Sequence, residues 1–193
     1  ETASSEAAWA ASTDVSEAHT EAQVQAANRV NEVVGATRVI ETVAKLLAKK
    51  DQLDDLTARQ LEKIRLRAAE APATVPDVVK ARVENEAKQG AAQDGFTFTL
   101  KREGQPDANP SANDIDRVLV ESKNLDERKT YWELSKTIGG PLRDGILRLR
   151  DLRNQVARAM GFDDFFALQV ADYGMTVPEM ISLCDQLVAE VKP

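Results

Sequence analysis

The chain has 193 residues, is 42% hydrophobic and 30% charged, and carries a formal net charge of −7. That length allows one domain or part of a larger one, and the composition belongs to a folded rather than a disordered chain. The acidic balance argues against general nucleic-acid binding, which needs clustered cations to displace phosphate counterions. A single cysteine excludes an intrachain disulfide, and no apolar run approaches the length of a membrane span.

Helical periodicity dominates from the start. After "AAWAAS", Thr13 and Asp14 offer N-caps, with Glu17 three residues beyond Asp14 as a capping-box partner. Val24, Ala27, Val30, Val34, Val43 and Leu47 recur at three- and four-residue spacings, apart from one gap after Val34. They predict a long helix to about Lys50 with Gly35 as its weak point. Thr57 and Gln60 read as the next capping box, Leu61, Ile64 and Ala68 as an apolar face, and Pro72 as the stop. Pro76 then opens a helix, at a position where its missing N–H costs nothing, and Gly90 and Gly95 break it.

"FTFTLKREGQPD" alternates and predicts at most one short β ribbon near 96–102, too little for a sheet. Ser111 or Asp114 restarts helix through Lys136, and Gly139, Gly140 and Pro141 interrupt it. A helix follows to Met160, with Gly161 as a left-handed terminator. Asp163 caps a short helix that Gly174 ends, and Thr176 with Glu179 forms a capping box for the last helix, with Pro178 in its first turn. The expected fold is therefore all-α, an irregular array of long and short helices without a fixed-period repeat. With no signal-peptide core, an opening Glu1 and a close on the amphipathic "SLCDQLVAEVKP", both ends read as trimmed, the second in mid-architecture.

No catalytic constellation is legible. His19 is the one histidine and reads as a solvated residue near a helix start; Cys184 reads as a buried, inert thiol rather than half of a Cys–His pair. "TIGGPL" has no lysine to make a phosphate loop, and Asp54/Asp55 and Asp163/Asp164 read as helix-start charges. In "PLRDGILRLRDLRNQVARAM", Leu142, Ile146, Leu149, Leu152, Val156 and Met160 share one stripe at about 100° per residue. Arg143, Arg148 and Arg158 fall outside the stripe and Arg150 sits at its margin, whereas Arg153 falls inside. A guanidinium there must find a carboxylate or snorkel to the edge; Asp172 and Glu133 are the candidate clamp partners.

"YWELSK" (131–136), "RLRDLRNQVARAMGFDDFFALQVADYGM" (148–175) and "PEMISLCDQL" (178–187) resemble the angiotensin-converting-enzyme family of zinc dipeptidyl carboxypeptidases, its bacterial members in particular. "EAAWAASTDVSEA" is similar to that family's opening helices. The resemblance implies the N-terminal part of a large helical, zincin-like peptidase whose deep cleft admits oligopeptides. Residues 1–70 would be lid helices, 71–110 a helix plus irregular loop or ribbon, and 111–193 a segment of cleft wall.

The zinc ligands, an H-E-x-x-H helix and a later glutamate, are implied to lie outside this chain, leaving it without catalytic or metal residues. The remainder of the peptidase polypeptide and an oligopeptide substrate are the implied partners, and an exported, periplasmic or cell-surface location is the family habit. Lys136 stands where animal members place an arginine that helps bind chloride, next to the matching Trp132, and the animal disulfide before this helix is missing. Trp9 is implied to pack in the lid. The alternatives are a non-catalytic helical interaction module or a degenerate peptidase homologue.

Overall fold

Short polar side chains set where the helices start, because each accepts from a backbone N–H that the first turn leaves bare. The computed structural model describes residues 2–192. Its α-helices are α1 (Thr2–Thr13), α2 (Glu17–Val34), α3 (Thr37–Leu47), α4 (Asp55–Ala69), α5 (Pro76–Asp94), α6 (Ala112–Glu121), α7 (Leu125–Lys136), α8 (Gly139–Ala159), α9 (Phe165–Asp172) and α10 (Val177–Val191). Ser16, Asp54, Ser111, Asn124, Asp164 and Thr176 cap their helices through their side chains. The protein is all-α: among the described residues the expected ribbon reduces to one antiparallel bridge, Leu100 with Ala108, around a turn that uses Gly104 at φ 71°.

Several boundaries differ from the sequence reading, each for a local reason. Ser16, not Thr13 or Asp14, caps α2, since Thr13 is still inside α1 and bonds back to the Trp9 carbonyl at 2.8 Å. Asp54, not Thr57, caps α4: one carboxylate takes both the Thr57 N–H (2.9 Å) and its hydroxyl (2.7 Å). Gly90 lies inside α5, which runs on to its C-cap Gly95. The helix expected through Lys136 is two, because Asn124 accepts from the Asp126 and Glu127 N–H groups and restarts the turn. Gly139, Gly140 and Pro141 form the first turn of α8 rather than a gap before it. Asp164 caps α9 one residue later than expected, accepting from Ala167 N–H at 2.8 Å.

The long N-terminal helix also divides, at Gly35. Its carbonyl accepts from the Ala73 N–H at 2.8 Å, and a Cβ built on it would lie 1.7 Å from the Ala71 carbonyl oxygen. The α4–α5 turn thus presses on bare backbone, and only glycine admits it. Around this corner the core is assembled from small aliphatic side chains. Ala71, Val79 and Val156 form one buried cluster. Leu66, Ala69, Ala157 and Leu168 form another, edged by Met160, Phe162 and Phe165. α5 packs on both α2 and α8, and α9 on α8 and α4, whereas α10 meets α9 and buries none of its own residues.

Candidate functional site

Where α5 meets α8, a polar seam runs through the apolar packing. Leu142, Leu149, Leu152 and Val156 of the predicted stripe are buried, Met160 is half-buried, and Ile146 is exposed. Arg153 projects from the same side and donates through Nε (3.1 Å) and Nη2 (2.8 Å) to one carboxylate oxygen of Glu86 on α5. Arg82, one helical turn before Glu86, donates Nη1 to both oxygens at 3.2 and 3.0 Å, its side chain only 13% exposed. The Arg153 guanidinium also lies 5.2 Å from the Phe165 ring centroid, where the ring face attracts a cation.

The partner of Arg153 is therefore Glu86, and the two sequence candidates are corrected. Asp172 is held by Lys63 at 2.7 Å, and Glu133 is an exposed residue 3.8 Å from Lys129 on its own helix. Nothing in the sequence marks Glu86, because "VENEAKQ" reads as an ordinary solvated stretch; only the docking of α5 on α8 turns that face inward. Arg150 binds its neighbour Asp151 at 2.7 Å, and Arg158 donates to the Asp163 carbonyl at 2.9 Å.

Further along the seam the Gln89 amide fills the notch left by Gly145, where an added Cβ would lie 1.9 Å from its Nε2. Arg82 Nε, Asn85 Oδ1 and Gln89 Oε1 are buried there without a hydrogen-bond partner among the described residues.

The remaining singled-out residues are scattered. Lys136 ends α7 with its ammonium 5.2 Å from the centroid of the Trp132 ring, on an exposed surface. Trp9 is 71% exposed on α1. His19 faces Asp14, its Nδ1 2.8 Å from the backbone carbonyl oxygen and 3.4 Å from the carboxylate. Cys184 is exposed, not buried as expected, because nothing in the described residues covers its face of α10.

These residues do not fit a zinc site. Zinc needs several imidazole, thiolate or carboxylate donors converging, and no three such side chains cluster among the described residues. A groove of about 650 Å³ between α4 and the α9–α10 turn presents ion pairs, Lys63 with Asp172 and Arg65 with Glu62, not a base beside a nucleophile. A second groove, about 760 Å³ between α2 and α5, is lined by Val15, Val24 and Ala91 with lysines and glutamates at its edge. Among the described residues no helix is long and apolar enough to cross a membrane.

A family model for angiotensin-converting enzyme matches residues 1–193. The chain belongs to that family. Searches of curated proteins and of solved structures each found no significant match. Within the angiotensin-converting enzyme family this chain is a helical region of a peptidase, and its Arg82–Glu86–Arg153 cluster joins two helices.

Proposed function

We propose that this chain is the N-terminal helical part of a zinc-dependent peptidyl-dipeptidase that removes dipeptides from the C-termini of oligopeptides. The family match across residues 1–193 is the observation that carries the reading. Because the described residues do not fit a zinc site, the proposal puts the metal ligands in polypeptide outside this chain, and no chemical step is assigned to any residue here. Residues 1–70 serve as lid helices, with Trp9 among them, and 111–193 as cleft wall. Lys136, beside Trp132, is the proposed chloride contact; an ammonium lacks the forked donors of a guanidinium, which makes any chloride response weak. The full protein acts outside the cytoplasm.

The test is to incubate the full-length gene product with an oligopeptide and with its C-terminally amidated twin, and to follow the products by mass spectrometry with metal analysis in parallel. Zinc-dependent release of dipeptides from the free peptide alone is the expected result, with no cleavage by residues 1–193. Release of single amino acids, or metal-dependent cleavage by 1–193 itself, overturns the reading; a zinc-free, inactive full product shows a degenerate homologue instead.

A further inference from the structure

The connection between α5 and α6, residues 95–111, is the longest between two helices; the next, 48–54, is less than half as long. Its base is fixed. Phe96, Phe98 and Leu100 are half-buried, the two rings meet edge to face at 4.9 Å, and Leu100 exchanges both backbone hydrogen bonds with Ala108. Beyond that pair little holds the chain. Every residue from Lys101 to Asp107 is exposed, and the tip turns through Gly104 on one long hydrogen bond, from the Gln105 N–H to the Arg102 carbonyl at 3.4 Å. Lys101 is tied to Asp107 at 2.5 Å, whereas Arg102 has no carboxylate partner among the described residues.

An endopeptidase must draw several residues in extended form across its cleft, so it cuts where few contacts have to break. Other cations between helices are worse placed for that. Lys50 opens a tight turn of 3-10 helix, Lys50–Gln52. Lys123 sits in the short link from α6 to α7, where the Asn124 N–H donates to the Ser122 hydroxyl and Asn124 caps the next helix.

We propose that Arg102 marks a processing site for an endopeptidase whose primary pocket holds a carboxylate for a guanidinium, and that the cut chain stays together as a two-piece unit. Water adds across the Arg102–Glu103 peptide bond, leaving a carboxylate on Arg102 and an ammonium on Glu103; no cofactor or redox partner enters. The cut separates α1–α5 from α6–α10 along the chain but crosses none of the packing between them. Glu86 still meets Arg153, Val79 still meets Val156, and Leu66 and Ala69 of α4 still meet Ala157 and Leu168. Neither half of this depends on the peptidase reading above, since the enzyme that cuts is a separate one.

The test exposes the full-length product to a trace of trypsin, times the cuts within 1–193 by mass spectrometry and follows the pieces by size-exclusion chromatography. The first cut should follow Arg102, faster by about tenfold or more than any other inside 1–193. The two pieces should elute together until urea is added. Lys101→Gln with Arg102→Gln, both at exposed positions, should slow the loss of intact 1–193 by a similar factor and leave the melting temperature unchanged. A first cut at Lys50, at Lys123 or inside a helix would overturn the proposal. So would an uncut tip under conditions that digest the urea-unfolded chain, pieces that part without denaturant, or a double variant that loses the intact segment at the original rate.

Discussion

Arg153 and Glu86, 67 positions apart, join α8 to α5 through a single carboxylate oxygen that Arg82 shares. Removing the carboxylate leaves two guanidinium groups facing each other at a helix interface. Breaking a fully buried pair costs about 3–5 kcal/mol, but Arg153 and Glu86 keep 37% and 30% of their side-chain surface, so water recovers part of it. Glu86→Gln should lower the unfolding free energy by about 2 kcal/mol in a urea titration. Glu133→Gln should stay within about 0.5 kcal/mol, because its pairing is exposed and loose. A larger loss for Glu133→Gln than for Glu86→Gln would reverse the assignment.

Gly35 should tolerate no side chain. A methyl group there meets the Ala71 carbonyl, a backbone atom that moves only with the whole α4–α5 turn. Gly35→Ala is expected to destabilise by about 3 kcal/mol. The same variant should speed hydrogen exchange at the Ala73 amide, which donates to the Gly35 carbonyl.

Gly145 makes a contrasting case, since what it faces is the end of a flexible side chain, Gln89. Gly145→Ala displaces that amide but removes a glycine from a helix interior, a gain of about 1 kcal/mol in itself. The substitution alone should be neutral to mildly destabilising. In a Gln89→Ala background it should stabilise by about 1 kcal/mol, and this change of sign in thermal melts is the test.

Three helix-start carboxylates make the fold sensitive to acid. Asp54 is held below the usual carboxylate range by the Thr57 hydroxyl and then its N–H, and Asp114 by the Ser111 hydroxyl, its N–H and Arg117. Glu179 is held down by the Thr176 N–H and then its hydroxyl. A depressed folded value means the unfolded chain binds protons more readily, so this stabilisation is present above the unfolded range and is lost as pH falls through about 4 and below. Melting temperature should be nearly level from neutrality to about pH 5 and then drop. Combining Asp54→Asn, Asp114→Asn and Glu179→Gln, which keep acceptor oxygens in place, should make that drop shallower.

Part of the local code was readable in the sequence by itself. Thr176 with Glu179, Ser111 as one of two candidate starts, Pro76, and Gly161 with its φ of 83° do in the structure what their residue types dictate, because caps and left-handed turns are settled within a few residues. The caps of α2, α4 and α9 fall one to three residues from the expected positions, because several short polar side chains stand close together there. The all-α class and the resemblance carried by 131–187 were equally legible, and the family match over the whole chain agrees with them. What only tertiary structure decided was which faces meet. Neither the Arg153–Glu86 pair, nor the Ala71 carbonyl pressed against Gly35, nor the exposure of Cys184 follows from spacing along one helix. Each depends on a neighbour dozens of positions away, or on the lack of one. Periodicity says that a helix has an inner side, and packing alone says what that side touches.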